Sequence, residues 1–313
     1  MTTFAPVEAD RLRRRPPALR PGARIALVAP AGPVREERLA TALEHCARFS
    51  FEAVPGSAIR QRTGYLAGDD AERLADLQRA LDDPAIDAIW ALRGGYGTMR
   101  LLPRLRLPPV PKAYIGFSDN TALHLWLDRA GMVSFHAPHP GADFPPLAMD
   151  CFRRVLLRPE PAGILPQAPE TPVRTLVGGR AEGTLVGGNL ALVAALCGTP
   201  WQPDARGRIL FLEDVGEAPY RLDRLLRQLE LSGVLGNVAG LALGQFTECD
   251  GDPGDPGAIA LLEEAAVRAG VPAVLGLPIG HVPDNWTLPL GVRAHLDADA
   301  GTLALLEAAV EGQ

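Results

Sequence analysis

Short apolar runs alternate with amphipathic stretches along the first half of the chain. Residues 25–29 (IALVA) read as a buried strand that stops at the turn Pro30-Ala31-Gly32-Pro33. Leu39, Leu43 and Cys46 then recur at helical spacing, which predicts a helix over 35–49. Leu74, Leu77 and Leu81 predict a second helix over 71–81, with Asp69 or Asp70 as its cap and Pro84 beyond its end. Residues 88–92 (AIWAL) and 113–117 (AYIGF) are continuous apolar runs, expected to lead into helices near Thr98 and over 121–130, with Trp90 and Trp126 in the core. Residues 132–135 give a further strand. Strands buried on both faces that alternate with helices predict a parallel sheet and an α/β fold.

The pattern changes between 159 and 172, where Pro159, Pro161, Pro166, Pro169 and Pro172 exclude a helix or a central strand. A domain boundary is expected there: a tail over 1–20, an N-terminal α/β domain over 21–150, a Pro-rich linker over 151–177 and a C-terminal domain over 178–313. In the latter, strands are expected at 180–186, 209–212, 238–243, around 274, at 292–296 and at 302–305. A short helix is expected over 190–196. A strongly amphipathic one over 220–231 carries Leu222, Leu225, Leu226 and Leu229 on one stripe and ends at Gly233. Another helix follows the loop 250–257 and runs to 269.

Composition narrows the function. Lys and Arg number 31 against 37 Asp and Glu, a net charge of −6, which argues against nucleic acid as a partner because phosphate binding needs a basic face. No apolar run reaches the roughly 18–20 residues of a membrane span; the stretch 185–196 is broken by Gly187, Gly188 and Asn189. The basic residues Arg11 to Arg15 precede a run too short and too late for a signal peptide, and they are expected to be solvated. Cys46, Cys151, Cys197 and Cys249 form no C-x-x-C pair and read as buried free thiols, which fits a reducing cytoplasm. Pro138 between His136 and His139 prevents a shared helix face, and Asp250, Asp252 and Asp255 lack calcium-loop spacing, so no metal is expected.

The chemistry-bearing residues sit at strand ends. In Ile115-Gly116-Phe117-Ser118-Asp119-Asn120 an apolar strand meets a helix with a serine at the junction, the layout of a nucleophile elbow, although Asn120 stands where G-x-S-x-G has its second glycine. Read alone, a serine in this place is more often an ordinary N-cap than a nucleophile. The amide of Asp119, at a helix start, is placed to help hold an oxyanion. Arg93-Gly94-Gly95-Tyr96-Gly97 is either a second anion-holding turn or a tight turn only, and Arg93 is expected to pair with a carboxylate. Of six histidines, His281 lies at a strand-to-loop junction, whereas His45 and His124 fall within helices. Glu213 and Asp214 leave a buried strand, where a carboxylate needs a partner. The order Ser, Glu, His is one that serine hydrolases use.

These segments together resemble the LD-carboxypeptidases, serine peptidases that include the muramoyltetrapeptide carboxypeptidases and the microcin C immunity proteins. The resemblance spans residues 22–305 through IALVAPAGP (25–33), ALRGGYG (91–97), IGFSDN (115–120), GGNLALVAALCGTP (187–200), LEDVGEAPYRLDR (212–224) and LPIGHVPDNWTLPLG (277–291). It implies Ser118 as nucleophile, His281 as general base, Glu213 as the acid orienting His281, and the Gly95 and Asp119 amides as the oxyanion hole. It implies a Rossmann-like N-terminal domain with a parallel sheet. The C-terminal α/β domain is then expected to carry a mixed, partly barrel-like sheet, with the site in the cleft between the two. It implies a homodimer without cofactor that cleaves terminal D-Ala from murein tetrapeptides in cytoplasmic cell-wall recycling. The alternative is the microcin branch, which cleaves aminoacyl or peptidyl nucleotide amides and stacks the nucleobase on aromatics from a loop before the second domain. Residues 140–180 hold Phe144 and Phe152 but no Trp or Tyr. A non-catalytic binding protein of the same shape is a further alternative. One departure is Ala137-Pro138-His139, where a Gly-Pro-Met-like turn is expected; it bears on the pocket wall.

Overall fold

The computed structural model describes residues 13–168 and 171–312, and structural statements refer to these. The first half alternates as expected: β1 (Arg24–Val28), α1 (Glu36–Arg48), β2 (Glu52–Pro55), α2 (Asp70–Asp82), β3 (Ala88–Ala91), β4 (Ala113–Gly116), α3 (Thr121–Arg129), β5 (Ser134–His136) and α4 (Pro146–Leu156). The second half contributes β6 (Gly163–Ile164), β7 (Arg174–Val177), β8 (Arg180–Asn189), α5 (Leu190–Ala195), β9 (Ile209–Val215), α6 (Pro219–Leu231), β10 (Gly240–Thr247), α7 (Ala258–Ala269), β11 (Ala273–Leu275), β12 (Leu288–Leu290), β13 (Arg293–Asp297) and β14 (Thr302–Leu305). Asp69 caps α2 through a reciprocal capping box with Glu72. Gly233 follows the α6 cap with φ +78°, the left-handed turn that glycine takes without strain.

The first sheet has the order β12-β5-β4-β3-β1-β2. Its five N-terminal strands are parallel, but β12 returns from the far end of the chain to pair antiparallel with β5. The parallel strands end at one edge, so the turns after β3 and β4 meet there. The second sheet runs β6-β14-β13-β8-β9-β10-β11-β7. Strands β8 to β11 are mutually parallel, with antiparallel strands on both sides. It is mixed, as expected, but its ends are the separate edges β6 and β7, so it is an open sheet and not a barrel.

Helix α3 is buried from Thr121 to Asp128 and touches both β5 and β8. Its start is fastened to the second sheet where the Thr121 hydroxyl accepts the Asn189 amide at 2.9 Å. At its end, Asp128 accepts two guanidinium bonds from Arg208, both at 2.8 Å, and one from Arg13 at 2.9 Å. The basic cluster is therefore not simply solvated: Arg13 is a half-buried partner of Asp128 and Arg15 pairs with Glu307. Residues 1–12 of the expected tail lie outside the described residues. One further expectation fails locally. Residues after Thr98 form only short 3₁₀ turns, because Pro103 follows within a turn. Helix α4 runs through position 150, where the first domain was expected to end. Within the expected linker, β6 and β7 form, both as edge strands. No helix among the described residues is long and apolar enough to cross a membrane.

Candidate active site

Ser118 lies two residues beyond the end of β4, and its φ is +61°. A left-handed serine costs on the order of 1–2 kcal/mol, so neighbouring bonds must hold it. Asn120 does much of this. Its side-chain amide donates to the carbonyls of Phe117 at 3.0 Å and Arg93 at 3.3 Å, and its oxygen accepts the Tyr114 hydroxyl at 2.6 Å. The residue that broke the familiar glycine pattern thus clamps the turn. Asp119 is buried, accepts the Thr98 amide at 2.9 Å through its carboxylate, and accepts the Thr98 hydroxyl at 2.6 Å through its carbonyl. Burial raises its pKa.

The turn after β3 packs directly against this elbow. A Cβ on Gly94 would lie 2.8 Å from the Ser118 Oγ and 3.2 Å from the Asp119 amide nitrogen, so only glycine fits. Among the described residues, neither the Gly95 nor the Asp119 amide donates a hydrogen bond within the protein. Arg93 pairs with no carboxylate among the described residues, contrary to expectation. Its guanidinium donates to the carbonyls of Gly94 at 3.2 Å and Pro33 at 3.0 Å.

Glu213 and His281 arrive from the second sheet and the loop beyond it. Glu213 is the fifth residue of β9, opposite Asn189 of β8, and is fully buried. Its Oε2 lies 2.8 Å from the Nδ1 of His281. The loop that carries His281 is pinned by the Gly280 amide donating to Asn285 Oδ1 at 2.9 Å and the Gln245 amide donating to the Ile279 carbonyl at 3.0 Å. Gly280 has φ +110°, and a Cβ there would lie 2.5 Å from Glu213 Oε2. Asp214 points the other way: it accepts Asn189 Nδ2 and the Ala191 amide, anchoring the start of α5. Burial pushes its pKa up to about 6. Of the two carboxylates, Glu213 is the one bonded to His281.

Burial of the His281 ring opposes its protonation, but the Glu213 bond and charge outweigh this and raise its pKa above the usual 6.5. Two neighbouring imidazoles go the other way. His139 is pushed down to about 3 by burial, and His136 is also lowered by burial. Phe117 packs among all three rings, with centroids 4.5 Å from His139, 5.6 Å from His136 and 4.9 Å from His281. No group of three potential metal ligands is arranged to hold an ion among the described residues.

Ser118, His281, Gly95 and Phe117 line one cavity of about 330 Å³, with Val34, Arg35, Arg38, Arg93, His139 and Ala142 on its walls. No hydrogen bond joins Ser118 to His281 here; such bonds are commonly loose before substrate binds. With Nδ1 held by Glu213, the Nε2 of His281 is the nitrogen left to exchange a proton, and Gly95 lines the same cavity as Ser118. This arrangement can support acyl transfer. The sequence reading missed the arginines of the wall, because Arg35, Arg38 and Arg93 reach one cavity only through the tertiary fold.

The chain is similar to known proteins over most of its length. Models of the LD-carboxypeptidase N-terminal and C-terminal domains match residues 25–137 and 182–296. A murein tetrapeptide carboxypeptidase of Pseudomonas aeruginosa is 36% identical, over 88% of this chain and 94% of that protein. The crystal structure of a muramoyltetrapeptide carboxypeptidase from Oxalobacter formigenes is 35% identical with a TM-score of 0.79, covering 92% of this chain and 100% of that one. The microcin C7 self-immunity protein MccF of Escherichia coli is 27% identical over 89% of this chain and 91% of its own. A MccF structure in complex with glutamyl sulfamoyl guanosine superposes with a TM-score of 0.85 at 25% identity, over 95% of this chain and 99% of that one.

Proposed function

Since the chain belongs to the LD-carboxypeptidase family, we propose that it is a serine LD-carboxypeptidase acting on murein tetrapeptides, cutting between the L-centre of the diamino acid and terminal D-Ala. The observation that carries the catalytic part is the 2.8 Å Glu213–His281 bond behind a strained serine in the same cavity. Ser118 attacks the amide carbonyl while His281 Nε2 takes its proton. The Gly95 and Asp119 amides hold the tetrahedral oxyanion. His281 then protonates the departing amine of D-Ala, and water attacks the resulting acyl ester with His281 again as base, restoring Ser118. Glu213 fixes the tautomer and balances the imidazolium.

Two observations favour the murein substrate over an aminoacyl nucleotide. Phe144 and Phe152, the only aromatics of residues 140–180, are buried in a cluster with Phe49 and Trp90, with the Trp90 and Phe152 rings 4.9 Å apart. Neither is free to stack on a base. Of the relatives described above, the two of higher identity are a murein tetrapeptide carboxypeptidase and a muramoyltetrapeptide carboxypeptidase. The cytoplasmic recycling role and the homodimer belong to the same proposal. The test offers the purified protein L-Ala-γ-D-Glu-meso-diaminopimelyl-D-Ala and, separately, glutamyl sulfamoyl-adenosine. Release of D-Ala with little hydrolysis of the nucleotide supports the proposal; the reverse preference transfers the enzyme to the microcin branch.

A further inference from the structure

The cavity beside Ser118 has an uneven charge. Three arginines, Arg35, Arg38 and Arg93, line it, and no aspartate or glutamate does. None of the three takes part in an ion pair among the described residues. Arg38 is tied at one nitrogen to the Gly141 carbonyl, 2.6 Å away. Arg93 is the best placed. Its Nε and Nη1 are held by the carbonyls of Gly94 and Pro33, which fixes the plane of the guanidinium. Its Nη2 has no partner among the described residues and lies 3.6 Å from where a Cβ on Gly95 would stand. The free nitrogen thus sits beside the residue whose amide is assigned to the oxyanion.

A guanidinium held flat by two carbonyls, with donors left over, is preorganised for a carboxylate. An enzyme that removes one terminal residue must tell a chain end from a chain interior, and the free carboxylate is the chemical difference. We propose that Arg93 holds the terminal carboxylate of the departing residue, with Arg35 and Arg38 adding positive charge to the far wall. The inference rests on the carboxypeptidase reading and specifies how it chooses its bond.

The test compares the tetrapeptide ending in D-Ala with the same peptide ending in D-alaninamide, using wild type, Arg93→Ala and Arg93→Lys. Thermal melts show that each variant is folded. Loss of a charge-assisted bond corresponds to about a 10- to 100-fold fall. Arg93→Ala should therefore lower kcat/KM on the acid by about that factor and change it within about threefold on the amide, so that the preference for the acid collapses. Arg93→Lys should recover part of the preference. Equal losses on both substrates would mean that Arg93 only shapes the oxyanion turn, and would overturn the inference while leaving the carboxypeptidase reading intact. The inference is equally overturned if the preference lost in Arg93→Ala is instead that for a free over an amidated diaminopimelyl side-chain carboxyl. A wild type that releases neither D-Ala nor D-alaninamide overturns the carboxypeptidase reading and this inference with it.

Discussion

Replacing Glu213 by Gln separates what this carboxylate does for catalysis from what it does for folding. The change keeps the size of a fully buried side chain and removes its charge. The only hydrogen bond that Glu213 makes through its side chain among the described residues is to His281 Nδ1, and its other oxygen has no partner. In the proposed mechanism the carboxylate fixes Nδ1–H and stabilises the imidazolium formed as Ser118 loses its proton. In a comparable triad, the acid-to-amide change lowers kcat by about 10⁴, or about 5 kcal/mol of transition-state stabilisation. The Glu213→Gln enzyme should therefore lose three to four orders of magnitude in D-Ala release, by the same order-of-magnitude reasoning. Stability should respond differently, because an uncompensated buried charge is costly. The His281 pKa is raised in the folded state, so its pairing with Glu213 stabilises the fold fully below the unfolded value near 6.5 and ceases to do so as pH rises through the folded value. The variant should melt earlier than wild type at pH 5.5 and no earlier at pH 9. The wild-type kcat/KM should fall as pH drops through an inflection above 6.5, since protonated His281 cannot act as base, and this inflection should move down in the variant. More than a tenth of wild-type kcat/KM remaining in Glu213→Gln, or an unmoved inflection, would refute the role given to Glu213.

Two further outcomes follow from packing. Gly280→Ala puts a methyl 2.5 Å from Glu213 Oε2 at a left-handed φ of +110°, so it should cost about 1–3 kcal/mol of stability and reduce activity by at least tenfold, measured by melting and D-Ala release. Asp128→Ala leaves Arg13 and Arg208 facing each other without their shared anion. It should lower the melting temperature on the order of 10 °C, from a loss of about 3–5 kcal/mol. Burial opposes the Asp128 charge, but the two arginines outweigh it and lower its pKa. This contribution is therefore present above the unfolded value near 3.8 and lost as pH falls through the folded one, so wild type and variant should converge in stability in strong acid.

What the sequence revealed depended on how local the cause was. The elbow was legible because an apolar strand, a serine and a helix start are consecutive, and the β3–Arg93 turn because its glycines interrupt an apolar run. Strand β12 was not. Its Leu288-Pro289-Leu290 carries a proline that argues against a strand, and it forms only because it pairs at the edge of a sheet from the other end of the chain. Strand β2 was missed for a related reason: as the other edge of that sheet it is only half-covered and shows no apolar run. Helix α4 was hidden by the prolines before it, although Pro146 opens a helix without cost. The cationic wall depends on side chains from residues 35, 38 and 93 converging, which no spacing encodes.

The most direct measurement is D-Ala release from the tetrapeptide by wild type and Ser118→Ala, side by side and with a chelator present throughout. The account predicts steady release by wild type and a loss of at least about 10³-fold in the variant, with its melting temperature little changed because alanine keeps the same Cβ. A folded Ser118→Ala enzyme that still releases D-Ala at a wild-type rate would contradict it.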